Sequence, residues 1–152
     1  MTRIELWTFL LRRAEELREG CLKEWQQARA TVQRLQEHGA RLERLLEDYG
    51  RQQEAVQTGS HQVHQTAALR HTVRQLVSLQ QRAGLELQAA KAHEEQCRLR
   101  VQRAEAEVVK AQTLQDQAQR DQARLTARSE QRRSDAAAVT RHWLRQLAEP
   151  GT

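Results

Sequence analysis

His61, His64 and His71 are the residues whose type and spacing first suggest chemistry. Neutral imidazoles three and seven residues apart ligate zinc when further ligands close a tetrahedron. The stretch around them, Val56 to Thr66, reads VQTGSHQVHQT and contains no cysteine. The competing reading is a solvated turn that happens to hold histidines. With no closing ligand in the turn itself, we expect no metal and no other cofactor.

Cys21 and Cys97 are the two thiols. As a disulfide they would need the right Cα separation. As reduced thiols they would act as small core residues. Acidic residues alternate with arginine at helical spacing, as Glu43 and Glu47 do beside Arg44 and Arg51. Such alternation is the mark of solvated, salt-bridged helix faces. The sequence has no phosphate loop, dinucleotide glycine pattern, nucleophile elbow or metalloprotease helix. We therefore expect no catalytic residue and no enzymatic activity.

Arg120, Arg124, Arg128 and Arg132 step by four, and Arg133, Arg141 and Arg145 follow. Asp121, Glu130 and Asp135 are the acids among them. Three readings stand open: a solvated face, a nucleic-acid surface, and a surface for an acidic or carbonyl-lined protein. Nucleic acid is the weakest, because no Tyr or Phe interleaves for stacking and acids interrupt the run. Trp7 and Trp25 fall on apolar seams and read as packing residues. Trp143 falls where no intrachain partner is expected, and reads as an interface residue.

These residues must be carried by helices. The 152-residue chain is 30% charged and 3% aromatic, with mean hydropathy −0.88 and a single proline, Pro150. Ala, Leu, Glu, Gln and Arg dominate, and all are good helix formers. The net charge of +5 and the pI near 10 allow an anionic partner. The longest apolar run of the N-terminal stretch, LWTFLL, is too short for a signal or a membrane span, so a soluble cytosolic protein is expected.

Counting in sevens from Trp7 gives Ala14, Cys21, Ala28, Leu35, Leu42 and Tyr49, with Leu11, Arg18, Trp25, Val32, Gly39 and Leu46 four residues later each time. A second run goes from Leu69 through Leu76, Ala83, Ala90, Cys97, Ala104, Ala111 and Ala118 to Leu125. Its companions run Val73, Gln80, Leu87, Glu94, Val101 and Val108, then turn to Gln115, Gln122 and Ser129. This four–three alternation is a coiled-coil seam. The spacing predicts an all-α fold, one antiparallel coiled-coil hairpin over residues 1–152. Helix 1 would run from about 3 to 56, the turn from 57 to 65 and helix 2 from 66 to 147. At 1.5 Å per residue the helices would be about 80 and 120 Å long. Facing residue numbers should total roughly 118, give or take a turn, and helix 2 should overhang beyond about residue 115.

LERLLEDYGRQQ before the turn and LRHTVRQLVSLQQ after it, on such a hairpin, resemble the FliJ/YscO family. These are the small coiled-coil stalk proteins of flagellar export and type III secretion. The arginine-rich, lysine-poor style is closest to injectisome members, including the Hrp-type ones of plant-associated bacteria. The resemblance implies a cytoplasmic, non-enzymatic protein at the face of the secretion apparatus. It implies a stalk within the hexameric secretion ATPase, stimulating its assembly and activity and coupling it to the export gate.

Carried over residue by residue, ATPase binding would fall on Arg3, Trp7, Arg12 and Arg13 of helix 1. In helix 2 it would fall on Arg128, Arg132, Arg133, Arg141, Trp143 and Arg145. Export-gate binding would fall on Leu69, Val73 and Leu76. Leu69 stands where the family pattern allows an aromatic, and Leu69 and Leu76 are also plain seam residues. Export chaperones are further implied partners, while neither nucleic acid nor membrane insertion is expected. The alternative is a self-associating structural coiled-coil adaptor, or a chaperone-binding protein.

Overall fold

A computed structural model describes residues 2–58 and 63–149. They form two α-helices, α1 (Arg3–Thr58) and α2 (Val63–Ala148), and the described residues contain no strand. The helices pack against each other and α2 is the longer, as the seams require. Gly59, Ser60, His61 and Gln62 of the expected turn lie outside the described residues. α1 opens on a reciprocal cap. The Glu5 amide donates to the Thr2 hydroxyl at 3.2 Å, and the Thr2 amide donates to the Glu5 carboxylate at 3.0 Å. This satisfies two N–H groups that a helix start leaves without intrahelical partners.

The chain divides into two compact units, residues 17–104 and residues 1–16 with 105–152. In the first, Ala28, Val32 and Leu42 of α1 and Ala83, Cys97, Val101 and Ala104 of α2 are buried. Glu24, Thr31, His93 and Arg100 line one cleft, and Arg100 reaches Glu24 at 3.7 Å. Numbers rise along α1 as they fall along α2, so the helices run antiparallel there. The Glu24–Arg100 pair totals 124, a shift of more than one turn from the expected 118. Cys21 and Cys97 are both free thiols. Trp25 carries the Arg29 guanidinium over its ring, 5.1 Å from the centroid.

In the second unit, Val108, Ala111 and Ala118 of α2 are buried. Trp7, Leu10 and Ala14 of α1 line a cleft with Glu107, Lys110, Ala111 and Leu114. Gln115 donates to the Thr8 hydroxyl at 2.8 Å.

Seam burial follows the heptads closely. Every position from Trp7 to Gln53 in the α1 alternation is buried or half-buried, including Arg18 and Gly39. On α2 the same holds from Leu69 to Ala118, except at Gln80, which is exposed. Alanine at the seam lets the backbones approach closely, and among the described residues no polar or charged residue is buried.

Candidate interaction surface

From Gln122 to Glu149 every residue of the chain is exposed. The expected overhang is therefore present, but it begins one to two turns later than expected. Gln115, expected at the very end of pairing, is half-buried. Its amide is satisfied by Thr8, which lets a polar side chain remain within the seam. Thr2, Arg3 and Ile4 of α1 line a further cleft with Ala118, Asp121, Gln122 and Leu125, and pairing ends there.

The exposed stretch carries its apolar side chains openly. Leu125 is 60% exposed, Val139 56%, Trp143 60%, Leu144 59% and Leu147 80%, against 4% for Ala118 in the seam. At 3.6 residues per turn, Leu125, Ala136, Trp143 and Leu147 continue the line of Ala111 and Ala118. This is the packing face of α2 prolonged past the point where α1 has ended. A single helix cannot bury such a face by itself.

Of the α1 candidates, Arg3 reaches the near end of this stretch, and Trp7 packs against the part of α2 before it. Arg3 is exposed at the cleft where pairing ends. Trp7 is half-buried against α2. Arg12 and Arg13 are exposed and line a shallow groove with Phe9 and Glu16. Arg128, Arg132, Arg133, Arg141, Trp143 and Arg145 are all exposed on α2. Trp143 lies eighteen residues beyond Leu125, about 27 Å along the helix axis. The candidates are thus strung along α1 and α2, not gathered in a pocket.

Among the described residues, no carboxylate is within ion-pair distance of Arg128, Arg132, Arg133, Arg141 or Arg145. One local acid, Asp135, accepts instead from Gln131 at 3.1 Å. The Arg141 Nε–H donates along its own helix to the Ala137 carbonyl at 3.4 Å. The arginine side chains therefore hold no intrachain acid that a partner would have to displace.

Leu69, Val73 and Leu76 are half-buried. Their side chains serve the seam and leave an edge accessible. His71 is exposed, His61 lies outside the described residues, and the His64 side chain is not described. Among the described residues no three His, Cys, Asp or Glu side chains gather to hold a metal. No described helix is long and apolar enough to cross a membrane.

The signal that sequence reasoning passed over is the T-x-x-E of Thr2 and Glu5, a cap readable without coordinates. The interhelical Glu24–Arg100 pair had no such signal, because it depends on register.

A family model described as flagellar FliJ protein matches residues 8–147. No curated protein and no solved structure matches the chain.

Proposed function

The chain belongs to the FliJ family, and from that membership we propose that it is a central stalk of a type III export system. The stalk enters the hexameric secretion ATPase with the end that holds Arg3, Trp7, Arg12, Arg13 and the exposed part of α2. It promotes assembly and turnover of the ring, and couples it to the export gate through the region of Leu69, Val73 and Leu76. It acts by binding and performs no chemistry of its own. The reading places it at the cytoplasmic face of the apparatus. Its arginine-rich, lysine-poor style favours an injectisome setting.

The observation that carries this reading is the exposed packing face from Leu125 to Leu147, flanked by unpaired arginines. A single rod inside a symmetric ring contacts only some subunits at a time. Such differential contact is what biases nucleotide states, since coupling requires unequal affinity for the two states.

The test is ATP hydrolysis by the cognate secretion ATPase, with wild type and with Arg132→Ala/Arg133→Ala/Trp143→Ala. Stimulation by wild type alone, with the variant still fully helical, supports the stalk and its contact. Absence of both stimulation and binding by the folded wild type overturns it.

A further inference from the structure

The end of α2 differs in kind from the seam it prolongs. The seam is a narrow stripe of Ala, Val and Cys that matches one facing helix. Over Ala136–Ala148 the apolar residues spread much wider. At 3.6 residues per turn, Val139, Trp143, Ala136, Leu147, Leu144 and Ala137 cover about half the circumference. Arg141, His142, Arg145 and Gln146 hold the other half, with Gln146 bonded to His142 at 3.1 Å. No acidic residue occurs between Ala136 and Ala148. Trp143, Leu144 and Leu147 are each more than half exposed.

A stripe this broad exceeds what one coiled-coil partner would cover. A second copy of the chain is disfavoured as well. Over Gln122–Glu149 six arginines stand against Glu130, Asp135 and Glu149, so two such stretches side by side would repel. A wide apolar face, a polar face with two arginines and no acid, and a tryptophan describe a helix that lies in the boundary layer of an anionic bilayer. We propose that Ala136–Ala148 is an interfacial helix that docks on an anionic lipid surface. Its apolar half enters the headgroup–acyl boundary, and Arg141 and Arg145 pair with lipid phosphates. The binding is superficial, since no described helix is suited to cross a membrane. The inference stands apart from the stalk reading but shares Arg141, Trp143 and Arg145 with it. The two occupants therefore exclude each other, and the lipid surface would hold the chain when its protein partner is absent.

The experiment is sedimentation of the full chain with phosphatidylcholine vesicles, with and without phosphatidylglycerol. Two arginines at the surface give roughly fivefold each, so about twenty-fivefold preference for the anionic vesicles is expected at low salt. Leu144→Gln/Leu147→Gln should lose more than about tenfold of the binding. Arg141→Gln/Arg145→Gln should erase the anionic preference. Neither pair makes described contacts with α1, so circular dichroism should report an unchanged fold. In a Trp7→Phe/Trp25→Phe background, Trp143 emission should shift to the blue on anionic vesicles. Failure of folded wild type to bind anionic vesicles overturns the proposal, as does binding that the leucine variant leaves intact. Folded wild type that binds vesicles but neither binds nor stimulates the ATPase would overturn the stalk reading alone.

Discussion

Glu24 and Arg100 face each other across the two helices, with Oε2 and Nη1 3.7 Å apart. Both side chains are more than half exposed, and a pair like this contributes well under about 1 kcal/mol. Its value lies in marking register. Residue numbers totalling 124 put Cys21 level with Arg103, six residues from Cys97. That offset is about 9 Å along the axis, outside the Cα range a disulfide spans.

The two thiols should therefore stay reduced as neighbours on one chain. Mild oxidation of the folded monomer is expected to give no intramolecular disulfide. In native thiol titration Cys21 should react faster, because Cys97 is only 1% exposed. A monomer of increased mobility on non-reducing gels would contradict the register.

Packing should matter sharply up to Ala118 and hardly beyond. Val108 is 2% exposed, and Val108→Ala should cost about 2 kcal/mol through lost burial and a residual cavity. Leu147→Ala, at an 80% exposed site, should change the urea midpoint little. Equal losses at the two sites would mean that the exposed part of α2 packs against something within the chain.

Glycines inside the helices should be replaceable with gain. A Cβ built at Gly39 or Gly84 meets no atom within 4 Å, and neither backbone has a positive φ. Gly39→Ala and Gly84→Ala should each stabilise by about 0.5–1 kcal/mol. Thermal unfolding would read this, and a lowered midpoint would point to a helix that must bend at these places.

Acid should loosen one local pair. Arg98 donates through Nε to Glu95 at 2.9 Å. This hydrogen bond, with the guanidinium charge, holds the Glu95 carboxyl below the usual glutamate value and pushes Arg98 up. The pair's contribution is thus present at neutral pH and lost as pH falls through the lowered value. In a carboxyl NMR titration, Arg98→Gln should move the Glu95 midpoint upward. An unmoved midpoint would show that the pair does not persist in solution.

The start of α1 should fray when its cap is cut. Thr2→Ala and Glu5→Ala each remove one side of the reciprocal bond, worth about 1 kcal/mol locally. Faster amide exchange over residues 3–6 is the expected sign. Exchange identical to wild type would mean the cap contributes nothing.

Much of the fold was legible because a heptad seam is a local property. Trp7, Ala28, Leu42, Cys97 and Ala118 were placed by counting, and each is buried or half-buried. Gln115 was misread because a polar residue at a seam position looks like the end of pairing. Its partner, Thr8, lies 107 positions away, and no local pattern announces such a hydroxyl. The candidate arginines were legible as a run of charge. Their freedom from intrachain acids was not, since it depends on rotamers such as the Asp135–Gln131 bond.

By itself, then, the sequence determined the helices, the faces they bury and the excess length of the second one, because helical periodicity and propensity act within a few residues. Only the tertiary structure decided which residue stands opposite which. A seam of repeated Ala and Leu packs nearly as well one turn up or down. Two contacts between distant residues, Gln115 with Thr8 and Arg100 with Glu24, mark the choice made. That choice also fixes where the packing face of α2 first goes uncovered, between Ala118 and Leu125.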